Sequence, residues 1–402
     1  MPAHRIATLA VFATLLAAPA LAETLPPLRI GVLTDMNGPY GDAAGDGSVA
    51  AARLAVADFG PTVLGRTIEI VSADHQNLPD IGSAIARRWF DRDGVEMITD
   101  LTNSAVALAV QAVAREKGRV DLVTSTATTA LTNKECAPYG AHWTFDAYAL
   151  SAGTARALVA EGGKSWFFLT ADYTFGANLE ATATQQILAA GGTVLGHTKA
   201  PLNTADFSAQ LLAADASGAD VIGLANSGAD TANSVKQAFE FGLGTKHKLA
   251  AFLPFITDIR AMGLPVAQGL TLTTAFYWDR TPESRAWSQR FYDIRHAMPT
   301  MIQAGTYSAV LHYLRAVAAA GTSGPAPVMA AMRATPVNDA VFHDGHLRPD
   351  GQMVHGMYLV RVKTPQASKG PWDVYDIIRT IPGDEAFAPL SASTCPTLHS
   401  GG

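Results

Sequence analysis

The chain has 402 residues, 29 basic and 35 acidic side chains, a formal net charge of −6 and 48% hydrophobic residues. A mild acidic excess with no long run of either sign argues against a nucleic-acid partner, because such binding rests on clustered Lys and Arg. The length suits two domains of ordinary size, and no apolar stretch after residue 22 approaches the length of a membrane span.

Residues 1–22 read as an export signal. Met1-Pro2-Ala3-His4-Arg5 is positive, the run from 6 to 21 is uncharged and apolar, and Ala20-Leu21-Ala22 precedes Glu23. These are the three parts of a secretory signal peptide cut after Ala22. The run is shorter than the roughly 20 residues a span needs, and Pro19 interrupts it. No Cys stands at the cut to carry a lipid. The mature chain is expected to act outside the cytosol, away from nucleotide cofactors.

Residues 28–35 (LRIGVLTD) predict a buried parallel strand, a continuous apolar run with β-branched members. Gly38-Pro39-Tyr40-Gly41 makes a turn, and 48–59 shows helical periodicity. The unit repeats with a strand at 67–72, a helix at 79–91, a strand at 95–101, a helix at 104–116 and a strand at 120–124. A second series follows Trp143-Thr144-Phe145-Asp146. Its helices are 150–161, 176–190, 207–214 and 231–241, and its strands are 165–170, 193–197, 220–225 and 248–253. After residue 270 come a strand at 271–276, helices at 282–296, 302–320 and 328–333, and strands at 357–362 and 374–378.

Strands alternating with helices predict an α/β protein of two Rossmann-like lobes with parallel sheets. Lobe 1 is expected from 23–145 plus about 275–350, and lobe 2 from 146–274 plus about 351–385, leaving a tail at 386–402. The chain would cross between them near Phe145, near Thr273 and at 350–356, making a three-crossing hinge over a cleft. Ligands of open α/β sheets sit beyond the carboxyl ends of the strands, so the cleft is the expected site.

Two cysteines in an exported chain, Cys136 and Cys395, favour one disulfide tying the tail to a mid-chain loop. A metal pair or a catalytic thiol is the competing reading, and neither cysteine sits in a CxxC. The chain carries no GxSxG, HExxH, P-loop or GxGxxG motif. The stretch 41–47 (GDAAGDG) is glycine-rich after the first strand but wrongly spaced for a dinucleotide. His343-Asp344-Gly345-His346 could converge on a metal, yet it reads as an exposed turn. No metal or cofactor is expected. The ends of two successive strands are more telling. Thr102-Asn103-Ser104 and Ser125-Thr126-Ala127-Thr128-Thr129 put hydroxyls and amides where a helix begins, a natural carboxylate receptor. Plain N-capping is the competing account.

At these residues the chain resembles the periplasmic solute-binding proteins of ABC importers, specifically the branched-chain amino acid-type group with the type I periplasmic binding fold. The resemblance rests on LRIGVLTDMNGPYGDAAGDGSVAAARLAVADF, ITDLTNSAVALAV, VTSTATTALT, TADYTFGANLEATA and QAGTYSAVLHYLRAV, in the family's order from about residue 28 to 380. It implies a periplasmic, non-enzymatic, monomeric protein that closes on a small carboxylate and is then read by a membrane permease. It implies carboxylate binding by Asn103, Ser104, Thr126, Ala127 and Thr128. Tyr40, Tyr173 and Phe175 would be the aromatics of the cleft, with Asn226 and Phe255 completing the set. Amino-acid binders of the family place an acidic residue after the strand that here reads LAAFL, to pair with the ligand's ammonium group. This chain has Leu253-Pro254-Phe255-Ile256 there and no carboxylate before Asp258. An ammonium without its counter-charge in a dry cleft costs several kcal/mol. A ligand with a carboxylate, no α-amine and an aromatic body, of benzoate or hydroxycinnamate type, is therefore expected. An ordinary amino acid is the alternative if Asp258 reaches the cleft. A sensory module of the same fold and an exported hydrolase are the remaining readings, the latter lacking a His near Ser104 or Ser125.

Overall fold

The computed structural model describes residues 25–398, so the leader at 1–22 lies outside the described residues. The first sheet joins six strands: β1 (Leu28–Thr34), β2 (Thr62–Val63), β3 (Arg66–Asp74), β4 (Val95–Asp100), β5 (Val120–Val123) and β6 (Gly140–His142). Their order is β2-β3-β1-β4-β5-β6, parallel except for the β2–β3 pair. Parallel neighbours need crossovers, supplied by α1 (Gly45–Phe59), α2 (Pro79–Asp91) and α3 (Ser104–Lys117). The helices lie tight on the sheet. A Cβ at Gly31 of β1 would sit 2.4 Å from the Trp89 ring on α2.

The second sheet holds β7 (Ser165–Ala171), β8 (Thr193–Ala200), β9 (Val221–Ser227), β10 (Lys248–Leu253) and β11 (Thr271–Thr274). A short hairpin, β12 (His346–Leu347) with β13 (Met353–Val354), stands apart. The last two strands, β14 (Met357–Val362) and β15 (Tyr375–Ile381), return to the second sheet, whose order is β15-β14-β11-β10-β9-β7-β8. β14 and β15 run antiparallel, which gives this sheet a mixed edge. It is covered by α4 (Ala147–Ala160), α5 (Thr174–Ala189), α6 (Ser208–Ala216), α7 (Ala229–Glu240), α8 (Ile256–Met262) and α9 (Leu264–Ala267).

Between β11 and the hairpin come α10 (Pro282–Arg295), α11 (Met301–Ala320) and α12 (Pro325–Ala334). Of these, α11 packs on α1, and the contact explains the glycine-rich stretch after β1. Gly45 opens α1, a Cβ at Gly47 would meet the Gln303 side chain at 2.1 Å, and Gln303 donates to the carbonyls of Asp42 and Ala44. Gly47 thus serves helix packing, while Gly45 supplies the left-handed backbone at the start of α1. His343 and His346 flank the start of the hairpin, and no group of metal-binding side chains occurs among the described residues.

Cys136 and Cys395 form a disulfide across 259 residues. Ser393 Oγ donates to Thr132 O and the Thr394 amide to Asn133 Oδ1, so the tail leaving β15 lies against the loop after β5. Strands β2 and β6, of two and three residues, and helices α8 and α9 were not evident from periodicity, because runs so short show none. Helix α8 starts directly after Pro254-Phe255, with Phe255 as its N-cap.

Candidate ligand-binding site

The floor of the site in lobe 1 is built on strained backbone. β4 ends at Asp100, and both Asp100 (φ 80°) and Leu101 (φ 66°) adopt the left-handed conformation. Asp tolerates this region, whereas a Leu there costs on the order of 1–3 kcal/mol and marks a constrained site. The turn buries the Asp100 carboxyl completely. Its Oδ1 accepts from Ser125 Oγ and, at 2.9 Å, from Thr102 Oγ1. Burial raises its pKa, and hydroxyl donors led by Ser125 pull it back down. Thr102 Oγ1 also lies 3.0 Å from Thr34 Oγ1, which accepts from the Gly45 amide.

The next residues begin α3. Asn103 is its N-cap, and its Oδ1 accepts from the amides of Ala105 and Val106. Ser104 Oγ hydrogen-bonds Thr126 Oγ1 in the loop after β5. Two carbonyls of that loop are taken up by partners within lobe 1 and at the start of α4. Thr126 O accepts from His142 Nε2 at 2.7 Å and Ala127 O from the Ala147 amide at 2.7 Å. A carbonyl can only accept, so His142 carries its proton on Nε2, and burial holds its pKa down at about 4. In a trans peptide C=O and N–H point in opposite directions. The amides of Ala127 and Thr128 therefore point away from His142 and from the start of α4. The Thr128 hydroxyl itself caps the short helix Thr129–Thr132 by accepting from Ala130 N.

Lobe 2 closes over this floor. Tyr40, in the turn after β1, meets Tyr173, at the head of α5, hydroxyl to hydroxyl. Both phenols are held above their ordinary pKa, chiefly by burial. Phe175 packs on Tyr173 with ring centroids 5.7 Å apart. Thr129 and Asn178 exchange two hydrogen bonds of 3.1 Å, and the Ala229 amide donates to Pro39 O at 3.4 Å.

The cavity between the lobes has a volume of about 10 Å³ in this closed form. That is room for about one water molecule and far below the several hundred cubic ångströms of a small-molecule site, so a ligand enters only as the lobes part. Tyr40, Thr126, Ala127, Tyr173, Phe175 and Phe255 line it together with Thr102, Ser125, Ser227, Leu253 and Ile302. None of these side chains is charged. Of the sequence-derived residues, Asn103, Ser104, Thr128 and Asn226 stand outside this lining. Asn226 is engaged behind it, accepting from Thr231 Oγ1 and donating to Ser234 Oγ. Thr102 and Ser125 stood in the two hydroxyl clusters but not among the expected ligand residues, and Ser227 was not singled out. All three are strand-end hydroxyls, the same signal that drew attention to their neighbours.

Two carboxyls of lobe 2 lie near but outside the lining. Asp258 Oδ2 accepts from the Phe255 amide at 2.8 Å and so closes the start of α8, and burial pushes its pKa up to about 7. Asp230, 2% exposed at the start of α7, accepts from the Asn203 amide with one oxygen while the other has no partner. Burial raises it to about 6.

A floor of strand-end amides and hydroxyls in one α/β lobe, closed by aromatics from a second, is the arrangement of a ligand-capturing cleft. The sequence profile of the periplasmic binding protein family matches residues 27–371. The chain belongs to this family. A solved periplasmic binding protein from Burkholderia mallei is 46% identical, with a TM-score of 0.90 over 92% of this chain and 98% of that one. A branched-chain amino acid ABC transporter periplasmic ligand-binding protein from Burkholderia xenovorans LB400 is 41% identical, with a TM-score of 0.83 over 92% and 99%. A solute-binding protein of an ABC transporter from R. palustris, in complex with benzoate, shares 20% identity and the fold, with a TM-score of 0.82 over 92% and 99%. Solute-binding proteins of ABC transporters capture a small molecule and hand it to a permease.

Proposed function

We propose that the protein captures a small aromatic carboxylate of benzoate or hydroxycinnamate type. The ligand's carboxylate docks on the Ala127 and Thr128 amides and the Ser104–Thr126 hydroxyls in the open form. Lobe 2 then swings in, and Tyr173, Phe175 and Phe255 cover the ring. Closure is a population shift limited by the ligand's preference for the closed form. The observation that carries this reading is the uncharged, aromatic lining, with Phe255 where an ammonium would need an anion and Asp258 held at the start of α8.

A second reading, an amino acid ligand, draws on the unpartnered Asp230 oxygen, near enough to raise both phenols of the tyrosine pair. Thermal denaturation of residues 23–402 against benzoates, hydroxycinnamates, leucine and valine separates the two, since a ligand of the folded state raises the melting temperature by mass action. A shift with aromatic acids and none with leucine or valine supports the first reading. A shift with amino acids alone overturns it.

A further inference from the structure

Three hydroxyls of the cavity wall, those of Thr102, Ser125 and Ser227, have fixed proton directions, and those directions constrain the ligand beyond its carboxylate. Asp100 Oδ1 accepts from both Ser125 and Thr102. Because Thr102 donates to Asp100, its contact with Thr34 is one in which Thr34 donates, and the Asp35 amide reaches the same oxygen at 3.4 Å. A hydroxyl has one proton and two lone pairs, so Thr102 has none left over. Ser125 has given its one proton to Asp100 and keeps its lone pairs. From the opposite lobe, Ser227 Oγ donates to Leu253 O at 2.7 Å and is likewise left as an acceptor. Both serines line the cavity.

We propose that Asp100 is a positioning residue that makes Ser125 an obligate acceptor, so that with Ser227 the cleft selects a carboxylic acid that also carries a hydroxyl donor. The inference deepens the function proposed above and rests on its carboxylate ligand. A carboxylate alone brings only acceptors and would leave the lone pairs of both serine oxygens without a donor in a closed cavity; a ligand hydroxyl, with its one proton, satisfies one of them. The identity of residue 100 matters for the same reason. An Asn in its place could donate to Ser125 and release the serine proton toward the ligand, reversing the polarity. The left-handed backbone at Asp100 and Leu101 is what brings the carboxyl beneath the two hydroxyls.

Calorimetric titration of residues 23–402 with matched acids tests this. The probes are benzoate against para- and meta-hydroxybenzoate, isocaproate against its α-hydroxy counterpart, and leucine. The expected result is that a hydroxylated acid binds about tenfold or more tightly than its hydroxyl-free match. Ser125→Ala and Asp100→Asn should each bring that ratio within about threefold by weakening the hydroxylated acid alone. A merely structural residue would weaken both members equally. If Asp100→Asn fails to fold, the small Ser125→Ala change decides the matter. Benzoate binding as tightly as its hydroxylated forms overturns this inference and leaves the aromatic reading standing. Selective binding of the aliphatic hydroxy acid alone overturns the aromatic reading and leaves this one standing. A ratio unchanged in Ser125→Ala, or binding of leucine alone, overturns the inference. Silence from every acid at millimolar concentration overturns both.

Discussion

Asn178 and Thr129 form a reciprocal pair across the two lobes: the Asn178 amide group donates to Thr129 Oγ1 while its oxygen accepts from the Thr129 backbone amide, each at 3.1 Å. The Thr129 partner sits one residue beyond the loop that faces the ligand, so the clasp and the floor of the site share one short segment. This couples capture to closure.

Removing the clasp should favour the open form. Two hydrogen bonds of about 0.5–1.5 kcal/mol each are lost in Asn178→Ala. The expected outcome is a larger radius of gyration for the ligand-free protein by small-angle scattering, and faster ligand release with little change in association rate. An unchanged scattering profile would show that the pair does not hold the lobes together.

Gly228 offers a sharper block. Its φ is 59°, and a Cβ there would lie 2.5 Å from Pro39 O in the other lobe. Gly228→Ala should therefore weaken binding by about tenfold or more, through clash in the closed form as well as backbone strain. Titration calorimetry with any acid that binds the parent protein reads this out. Retention of full affinity would mean that the ligand-bound form is less closed than the structure described above.

Asp121, fully buried in β5, has no partner for either carboxyl oxygen, and burial raises its pKa to about 8. The folded state thus favours the protonated acid. The stability this gives is complete below pH about 4 and is lost as pH rises through about 8. Buried His75, His142 and His355, each lowered to about 4 by burial, act in the opposite sense as pH rises toward their ordinary value. The difference between Asp121→Asn and the parent isolates the acid. That difference in melting temperature should grow from pH 4 to pH 8 and reach at least about 2 °C. A constant difference across the range would refute the assignment.

The Cys136–Cys395 bridge holds the tail against the loop after β5. Replacing both cysteines by serine should destabilise the protein by about 2–4 kcal/mol, seen as a lower denaturant midpoint. The parent protein under reducing conditions should show the same loss.

Much of this architecture was legible because its signals are local and periodic. The apolar runs of β1, β4 and β9 and the long amphipathic α11 declare themselves. The two strand-end clusters of hydroxyls marked the floor of the site before any fold was drawn. Within those clusters the roles were not legible. Asn103 caps α3 and Thr128 caps a short helix, whereas Ser125 and Thr102 face the cavity. That division depends on the left-handed turn at Asp100 and Leu101, and no residue type there announces it. The role of Gly47 was hidden for a different reason. Its partner, Gln303, lies more than 250 residues away, and no local pattern encodes so distant a contact.

The seating of α11 on α1 also limits how the gene can be cut. The face of α1 bearing Gly47, Ala50 and Ala51 is buried in the finished protein, yet the helix packed on that side is not reached until residue 301. Any single break between residues 147 and 300 would leave the first fragment with a sheet missing one of its covering helices, and the second with that helix and no sheet to rest on. Lobe 1 therefore cannot be inherited, exchanged or secreted as a contiguous module, and recombination that preserves it must carry both ends of the chain together.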